Sequence, residues 1–525
     1  MPQIHELICE FLAYFFQLIF NNTQLLSKFE SNTYYVMNKD IRNIVPKTVW
    51  NHFADLNAVP RPSKKEERII QFMVDFGNSL NLETMVDKVG NVIIKKPATS
   101  GMENRKAIVM QGHIDMVHQK NADTVFDFDK EGIKMYVDVD GDWVKAEGTT
   151  LGADNGLGVA AIMAVLSSTD IPNPAIEALF TIDEETGMTG AMGLEANVLK
   201  GEILLNLDTE EDDEIGIGCA GGVDVTATKN YKEEKTPENT TAFSIAVIGL
   251  NGGHSGMDII KGLGNANKIM NRLLFDGFRK YGLRISEING GSLRNAIPRE
   301  SFAKIIVNNT SSASFLSDTN LLINQIKEEF STIEKNLSIE IKEVTAPKTV
   351  INADVQKSLI NSIYAALNGV YRMSPDVAGL VETSNNIAKV TVKNGAIKIG
   401  CLTRSSSESN KWDLANSLKA CFELANFNVD FAGTYPGWLP NMNSSILKTV
   451  ESTYIKLFDE QPNVAACHAG LECGILGKNY PEMEMISFGP NIKGAHSPDE
   501  RAQISSTQKF WKLLKEVLKN IPEKV

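Results

Sequence analysis

The chain has 525 residues, a net charge of −13, 43% hydrophobic and 22% charged residues, which describes an ordinary globular protein too long for a single core and divided into two or three domains. Its acidity repels phosphate and argues against nucleic acid as a partner. Six cysteines, none in a CxxC pair, exclude both a disulfide framework and a thiolate metal site and point to a reducing, cytoplasmic setting.

Residues 1–36 read as an N-terminal extension. The apolar stretch Leu7 to Phe20 is broken by Glu10. It is too short to span a membrane and has neither the basic flank nor the cleavage site of a signal peptide. Three readings stay open: a targeting segment, an amphipathic helix, or sequence translated upstream of the natural start. The last, with Met37 as the start, is preferred.

From Ile41 the pattern is α/β. Pro46 to Asn57 and Lys64 to Leu80 read as helices. Three short apolar runs follow: Ala107 to Met110, Ile176 to Ile182 and Ile203 to Leu207. Their length and spacing suggest buried, largely parallel strands. Each ends in polar residues: Gln111-Gly112-His113-Ile114-Asp115, Asp183-Glu184-Glu185, and Asp208. Ligands of open α/β sheets bind at these carboxyl ends. Between the first two runs, Gly156 to Leu166 reads as a helix entered through a glycine-rich turn.

After about Cys219 the style changes. Phe243 to Ile248, Gly262 to Phe275 and Ser301 to Val307 read as strand, helix, strand. The order recurs weakly in Ala396–Cys401, Trp412–Ala425 and Asn428–Phe431, which suggests an internal duplication. The first style returns with the strand Met485 to Phe488, His496, and a helix from Ser505 to Leu518. The expectation is a discontinuous catalytic domain, residues 37–218 and 437–525, with a mixed, largely parallel sheet and helices on both faces. An α+β lid, residues 219–436, is inserted into it. The acidic run Glu210 to Glu214 reads as a solvated face, and His118 as solvated or supporting.

Three of the seven histidines, His113, His254 and His496, lie in glycine-rich polar turns. In chain order come His113-x-Asp115, Gly152-Ala153-Asp154-Asn155-Gly156, Asp183-Glu184-Glu185-Thr186-Gly187, Asp208 and His496. This series resembles the M20 family of co-catalytic zinc peptidases. Gln111 to Lys120, His468-Ala-Gly-Leu-Glu-Cys-Gly474, and Gly489-Pro490 with Gly494-Ala-His-Ser-Pro498 resemble its aminoacyl-histidine dipeptidase branch.

The resemblance implies that Asp154 bridges two ions. His113 and Asp208 complete one set of ligands, and Glu185 and His496 the other. It also implies a cis peptide after Asp154, Glu184 as general base, Asp115 as the acceptor that orients His113, and His254 as a lid donor to the oxyanion. Nitrogen and oxygen ligands without thiolate suit two Zn2+, with Co2+ or Mn2+ as substitutes. Arg294, Asn295, Arg299 and Arg404 compete as ligands of the substrate carboxylate, and Glu472 is a candidate for the amino end.

The implied activity is hydrolysis of small peptides, Xaa-His dipeptides such as carnosine among them, by a homodimer. Tripeptidase, broad dipeptidase and N-acyl amino acid deacylase activities remain alternatives with the same ligands. A catalytically inactive metal-binding protein is the alternative of another class.

Overall fold

The computed structural model describes residues 38–524; the extension 1–36 lies outside them. The chain forms two compact units. One runs to Gly216 and adds Asn443–Val464 and the chain from Asn479; the other comprises Ile217–Met442 and Ala465–Lys478.

The first unit is built on a mixed eight-stranded sheet. In order across it run Glu83–Val86, Val92–Lys96, Ile176–Thr181, Ile108–His113, Ile203–Asn206 and Glu484–Ser487, with Glu214–Cys219 and Asn463–Cys467 completing it. The four strands from Ile176–Thr181 to Glu484–Ser487 are mutually parallel. Ile108–His113, Ile176–Thr181 and Ile203–Asn206 are buried along their whole length, which is why each reads as a continuous apolar run rather than an alternating one. The order places Ile108–His113 between two strands that follow it in the chain. The resulting crevice lies outside the carboxyl ends of the strands.

One helix, Ala153–Ser167, packs against Ile108–His113. It is apolar on every side and almost wholly buried, as a core helix must be. Asp154 and Asn155 have non-helical dihedrals, so regular helix starts at Gly156. The approach to the sheet is close: a Cβ on Gly158 would lie 2.2 Å from the Leu207 carbonyl oxygen.

The second unit holds a nine-stranded sheet with a mirrored order. One half is Ser338–Val344, Thr240–Ile248, Ser301–Asn308, Arg284–Gly290; the other is Val381–Lys393, Ala396–Ser405, Gly221–Asn230, Asn428–Tyr435. Gly369–Met373 pairs at the side with Val381–Lys393. All pairings along this path are antiparallel. Each half follows the order strand–helix–strand–strand–helix–strand, with helices Ala266–Tyr281 and Ser312–Glu329 in one and Ala353–Ala365 and Glu408–Leu424 in the other. The halves meet where Arg284–Gly290 pairs with Val381–Lys393. The topology repeats, but not in the correspondence expected from the sequence: Ala396–Ser405, Glu408–Leu424 and Asn428–Tyr435 match Ser301–Asn308, Ser312–Glu329 and Ser338–Val344, and the first half interrupts the second after Asn230. Ala465–Lys478 clusters with this unit although it lies farther along the chain.

Two local expectations need correction. The acidic run 210–214 is a solvated face only in part: Asp213 is exposed, but Glu211 pairs with Lys493 and Asp212 with Lys509, and burial, with the nearby Asp154, pushes the Glu210 carboxyl up to about 8. The strand read as Ala107 to Met110 runs on through His113, so the first histidine is itself a strand residue.

Candidate active site

Side chains from the carboxyl ends of the parallel strands converge in the first unit. His113 ends its strand fully buried. Its Nε2 lies 3.2 Å from Asp154 Oδ1, 3.6 Å from Asp208 Oδ1 and 4.0 Å from Glu184 Oε2. His496 Nε2 lies 3.1 Å from Asp154 Oδ2 and 2.9 Å from Glu185 Oε2. Both imidazoles therefore turn toward one carboxylate, one to each oxygen. Among the described residues, His113, Asp154 and Glu185 bring ligand atoms within 4.8 Å of one another, with Asp208 beside His113 and His496 beside Glu185.

The electrostatics follow from crowding acids around two imidazoles. Burial alone would lower the pKa of His113, but Asp208, Asp115 and Asp154 raise it well above the ordinary value. Hydrogen bonds to Asp154 and Glu185 raise His496 to about 11. Asp154 is held well below the usual carboxylate range by the two histidines, against its burial. The cluster thus demands positive charge at its centre. Donor atoms around a tetrahedral zinc stand about 3.3 Å apart, close to the separations here, so this nitrogen and oxygen set fits zinc-class ions.

Asp115, with 0% exposure, takes on two tasks. Its Oδ1 is 3.4 Å from His113 Nδ1, which leaves Nε2 to face the cluster. Its two oxygens also accept the backbone N–H groups of Glu184, at 3.1 Å, and Glu185, at 3.4 Å. One carboxylate thereby lies beside the imidazole and accepts the backbone of the acidic pair.

The Asp154 turn is held from several sides. The Asp154–Asn155 peptide is cis. Asn155 Nδ2 donates to the Leu207 carbonyl, tying this turn to the residue before Asp208. Gly152 stands at φ +69°, and a Cβ there would meet Arg61 Nη2 at 2.6 Å. The buried Arg61 donates to the carbonyls of Gly152, at 2.6 Å, and Asp115, at 2.9 Å. The buried Glu500 accepts backbone N–H groups from this same turn. Neither Arg61 nor Glu500 figures in the sequence reading. The only signals were an arginine between two prolines and a glutamate four residues after His496.

The remaining candidates lie in the second unit. His254 Nδ1 accepts N–H groups from Gly256, at 3.3 Å, and Met257, at 3.1 Å, so the proton belongs on Nε2. Burial and Arg404 lower its pKa to about 4. His254 Nε2 lies 3.4 Å from Arg404 Nη2, an approach of two donors. Arg404 is 4% exposed. Its Nη1 donates to the Tyr435 hydroxyl at 2.7 Å, its Nε has no partner, and among the described residues no carboxylate lies within 4.0 Å of it. His468 is also buried. Its Nε2 meets Ser384 Oγ at 2.8 Å, and burial, with Arg404 and His254, lowers it to about 3.

Arg294 is engaged within its own sheet, with Asp224 at 3.1 Å, the Cys401 carbonyl at 2.8 Å and Thr226 Oγ1 at 2.6 Å. Arg299 is exposed and donates to the Leu250 carbonyl at 3.0 Å. Asn295 is exposed, and its carbonyl accepts the Ser255 N–H. Glu472 is buried in the first turn of Glu472–Asn479. His118 is exposed and meets Phe128 edge-on, apart from the cluster.

Residues 109–520 match Peptidase family M20/M25/M40. The chain belongs to peptidase family M20. Members of this family are metal-dependent hydrolases. This M20 peptidase is 44% identical over 485 residues to the cytosol non-specific dipeptidase of Escherichia coli (strain K12), covering 92% of this chain and 100% of the relative. Its fold matches the crystal structure of aminoacylhistidine dipeptidase from Vibrio alginolyticus with a TM-score of 0.87 at 43% identity, over 92% of this chain and 99% of that one. The aminopeptidase PepT of Bacillus cereus shares the fold at a TM-score of 0.53 and 14% identity, over 91% of this chain and 99% of that one.

Proposed function

We propose that this M20 peptidase hydrolyses dipeptides, Xaa-His dipeptides including carnosine among them, with two zinc-class ions. Asp154 would be shared by both ions, His113 and Asp208 would hold one, and Glu185 and His496 the other. The observation that carries this reading is the pair of imidazoles turned onto opposite oxygens of Asp154. The names of the Escherichia coli and Vibrio alginolyticus relatives support the substrate class.

When bound, such ions would supply Lewis-acid polarisation of the scissile carbonyl and a water-derived nucleophile at neutral pH. Glu184 takes the proton of the attacking water and returns it to the departing amine. Asp115 keeps Glu184 in place through its backbone N–H and holds His113 in one tautomer. His254 Nε2–H and the Arg404 guanidinium offer converging donors to an oxygen of the substrate. Arg404 suits a free carboxylate because its buried charge has only neutral partners in direct contact. Residues 219–436 serve as the lid-type insertion in this reading, and the enzyme is a cytoplasmic homodimer.

Four measurements test it. Glu184→Gln is expected to keep its metal by elemental analysis while turnover falls about 10²–10⁴-fold; near-normal turnover would remove Glu184 as the base. Asp154→Ala is expected to lose both ions, and unchanged metal content would sink the proposed centre. A panel of carnosine, other Xaa-His dipeptides, tripeptides and acyl amino acids, run after loading with defined metals, is expected to favour the dipeptides. Light scattering checks the dimer.

A further inference from the structure

We propose that Glu500 is a positioning residue for the metal centre: it fixes the backbone of residues 151–154 and so holds the Asp154 carboxylate with both oxygens toward the two ions. The inference rests on the reading of Asp154 as a shared metal ligand.

Asp154 lies in the turn that leads into a helix, where backbone amides lack intrahelical partners. Here Glu500 collects four consecutive N–H groups. Its Oε2 accepts from Leu151 at 2.7 Å and Gly152 at 3.0 Å, and its Oε1 from Ala153 at 2.7 Å and Asp154 at 3.3 Å. Both Asp154 oxygens face imidazole nitrogens.

Glu500 is 2% exposed, so water does not compete for these bonds. Its own N–H donates to the Ser497 carbonyl at 3.0 Å, which fastens it to the loop bearing His496. One side chain therefore links the shared ligand to a ligand of the second set. Arg61 grips the opposite face of the turn through the Gly152 carbonyl. An arginine reaches only carbonyls, so it cannot replace Glu500 at the amides.

The test compares zinc binding by the wild-type chain and Glu500→Gln, starting from metal-free protein and titrating zinc against a chromophoric chelator. A glutamine keeps the shape but turns an amide N–H2 toward the turn's own donors. Zinc affinity is expected to fall about 10–100-fold, the range for loss of an outer partner of a metal ligand. Thermal unfolding of the metal-free forms is measured alongside, because a purely structural role would lower the metal-free Tm and leave the affinity unchanged. Affinity within twofold of wild type overturns the proposal. If Glu500→Gln does not fold, Glu500→Asp carries the same test; it keeps the charge but is too short to span four amides, and an unchanged affinity again overturns the role. Asp154→Ala separates the two readings. If it retains zinc, the proposed centre fails; if it loses zinc while Glu500→Gln binds normally, only the Glu500 role fails.

Discussion

At the scale of single residues, the side chains proposed to hold ions stand out because their chemistry is written in their own type. Histidines and acids stand in glycine-rich turns directly after apolar runs. The residues that set their posture were not legible. Glu500 and Arg61 act on backbone amides and carbonyls, groups that every residue carries and no letter marks. The Arg404 pocket was read only in part. Arginine side chains look alike in sequence, and only the fold separates Arg294, bound within its sheet, from Arg404, a buried cation among neutral groups. One expectation belongs here. With Nδ1 committed to two N–H groups and the pKa near 4, His254 stays neutral above pH 5 and acts as a donor, not as an acid. His254→Ala is expected to lower kcat by about 10²–10³, the range for loss of one oxyanion donor, with zinc content unchanged. The wild-type pH profile should show no limb between pH 5 and 8 that the variant lacks; such a limb would mean that the imidazole titrates in turnover.

At the scale of elements, the parallel strands announced themselves because burial on both faces demands an unbroken apolar run. The strand Val381–Lys393 did not. Glu382, Thr383, Ser384, Asn385 and Asn386 are all buried, a polar run without the apolar pattern of a strand. Their burial is tolerated because partners distant in sequence satisfy them: Thr383 meets Ser405 at 2.9 Å, Ser384 meets His468, and Asn386 donates to the Ala296 carbonyl at 2.8 Å. Helix ends carry comparable information. Glu484 accepts from the Ser444 hydroxyl at 2.8 Å and from the N–H groups of Ser445, at 2.7 Å, and Ile446, at 3.1 Å, at the head of Ser445–Phe458. Burial would raise its pKa, but these bonds and Lys106 lower it to about 2 from an ordinary 4.5. The folded pKa is the lower one, so the stabilisation is complete above about pH 4.5 and fades as pH falls toward 2. Glu484→Gln is expected to cost about 1 kcal/mol at pH 7, after allowance for solvent screening. The gap from wild type should narrow in urea melts at pH 3 and close only toward pH 2; a gap independent of pH would assign the loss to packing.

At the scale of the whole molecule, the α/β character and the change of style near residue 219 were visible because periodicity shifts there. The return of Ala465–Lys478 to the second unit was not, since a short segment carries no periodicity of its own. The two units also differ in what ions can do for them. All five proposed ligands lie in the first, and a ligand that binds only the folded state stabilises the part that binds it. Chelation is expected to speed amide exchange in Ile108–His113, in Ala153–Ser167 and around His496. Exchange in the nine-stranded sheet should not change. Uniform acceleration through both sheets would contradict a centre confined to these ligands.

The discontinuity of the first unit also bears on biosynthesis. His113 emerges from the ribosome early, but His496 and Glu500 follow only after the entire second unit has been made. The segment Ile217–Met442 can begin to fold while the chain is still growing, whereas the proposed metal centre has no complete set of donors until translation has passed residue 496. An interrupted nascent chain therefore carries at most half of the imidazoles that the two ions require, and hydrolytic competence arrives with the last tenth of synthesis.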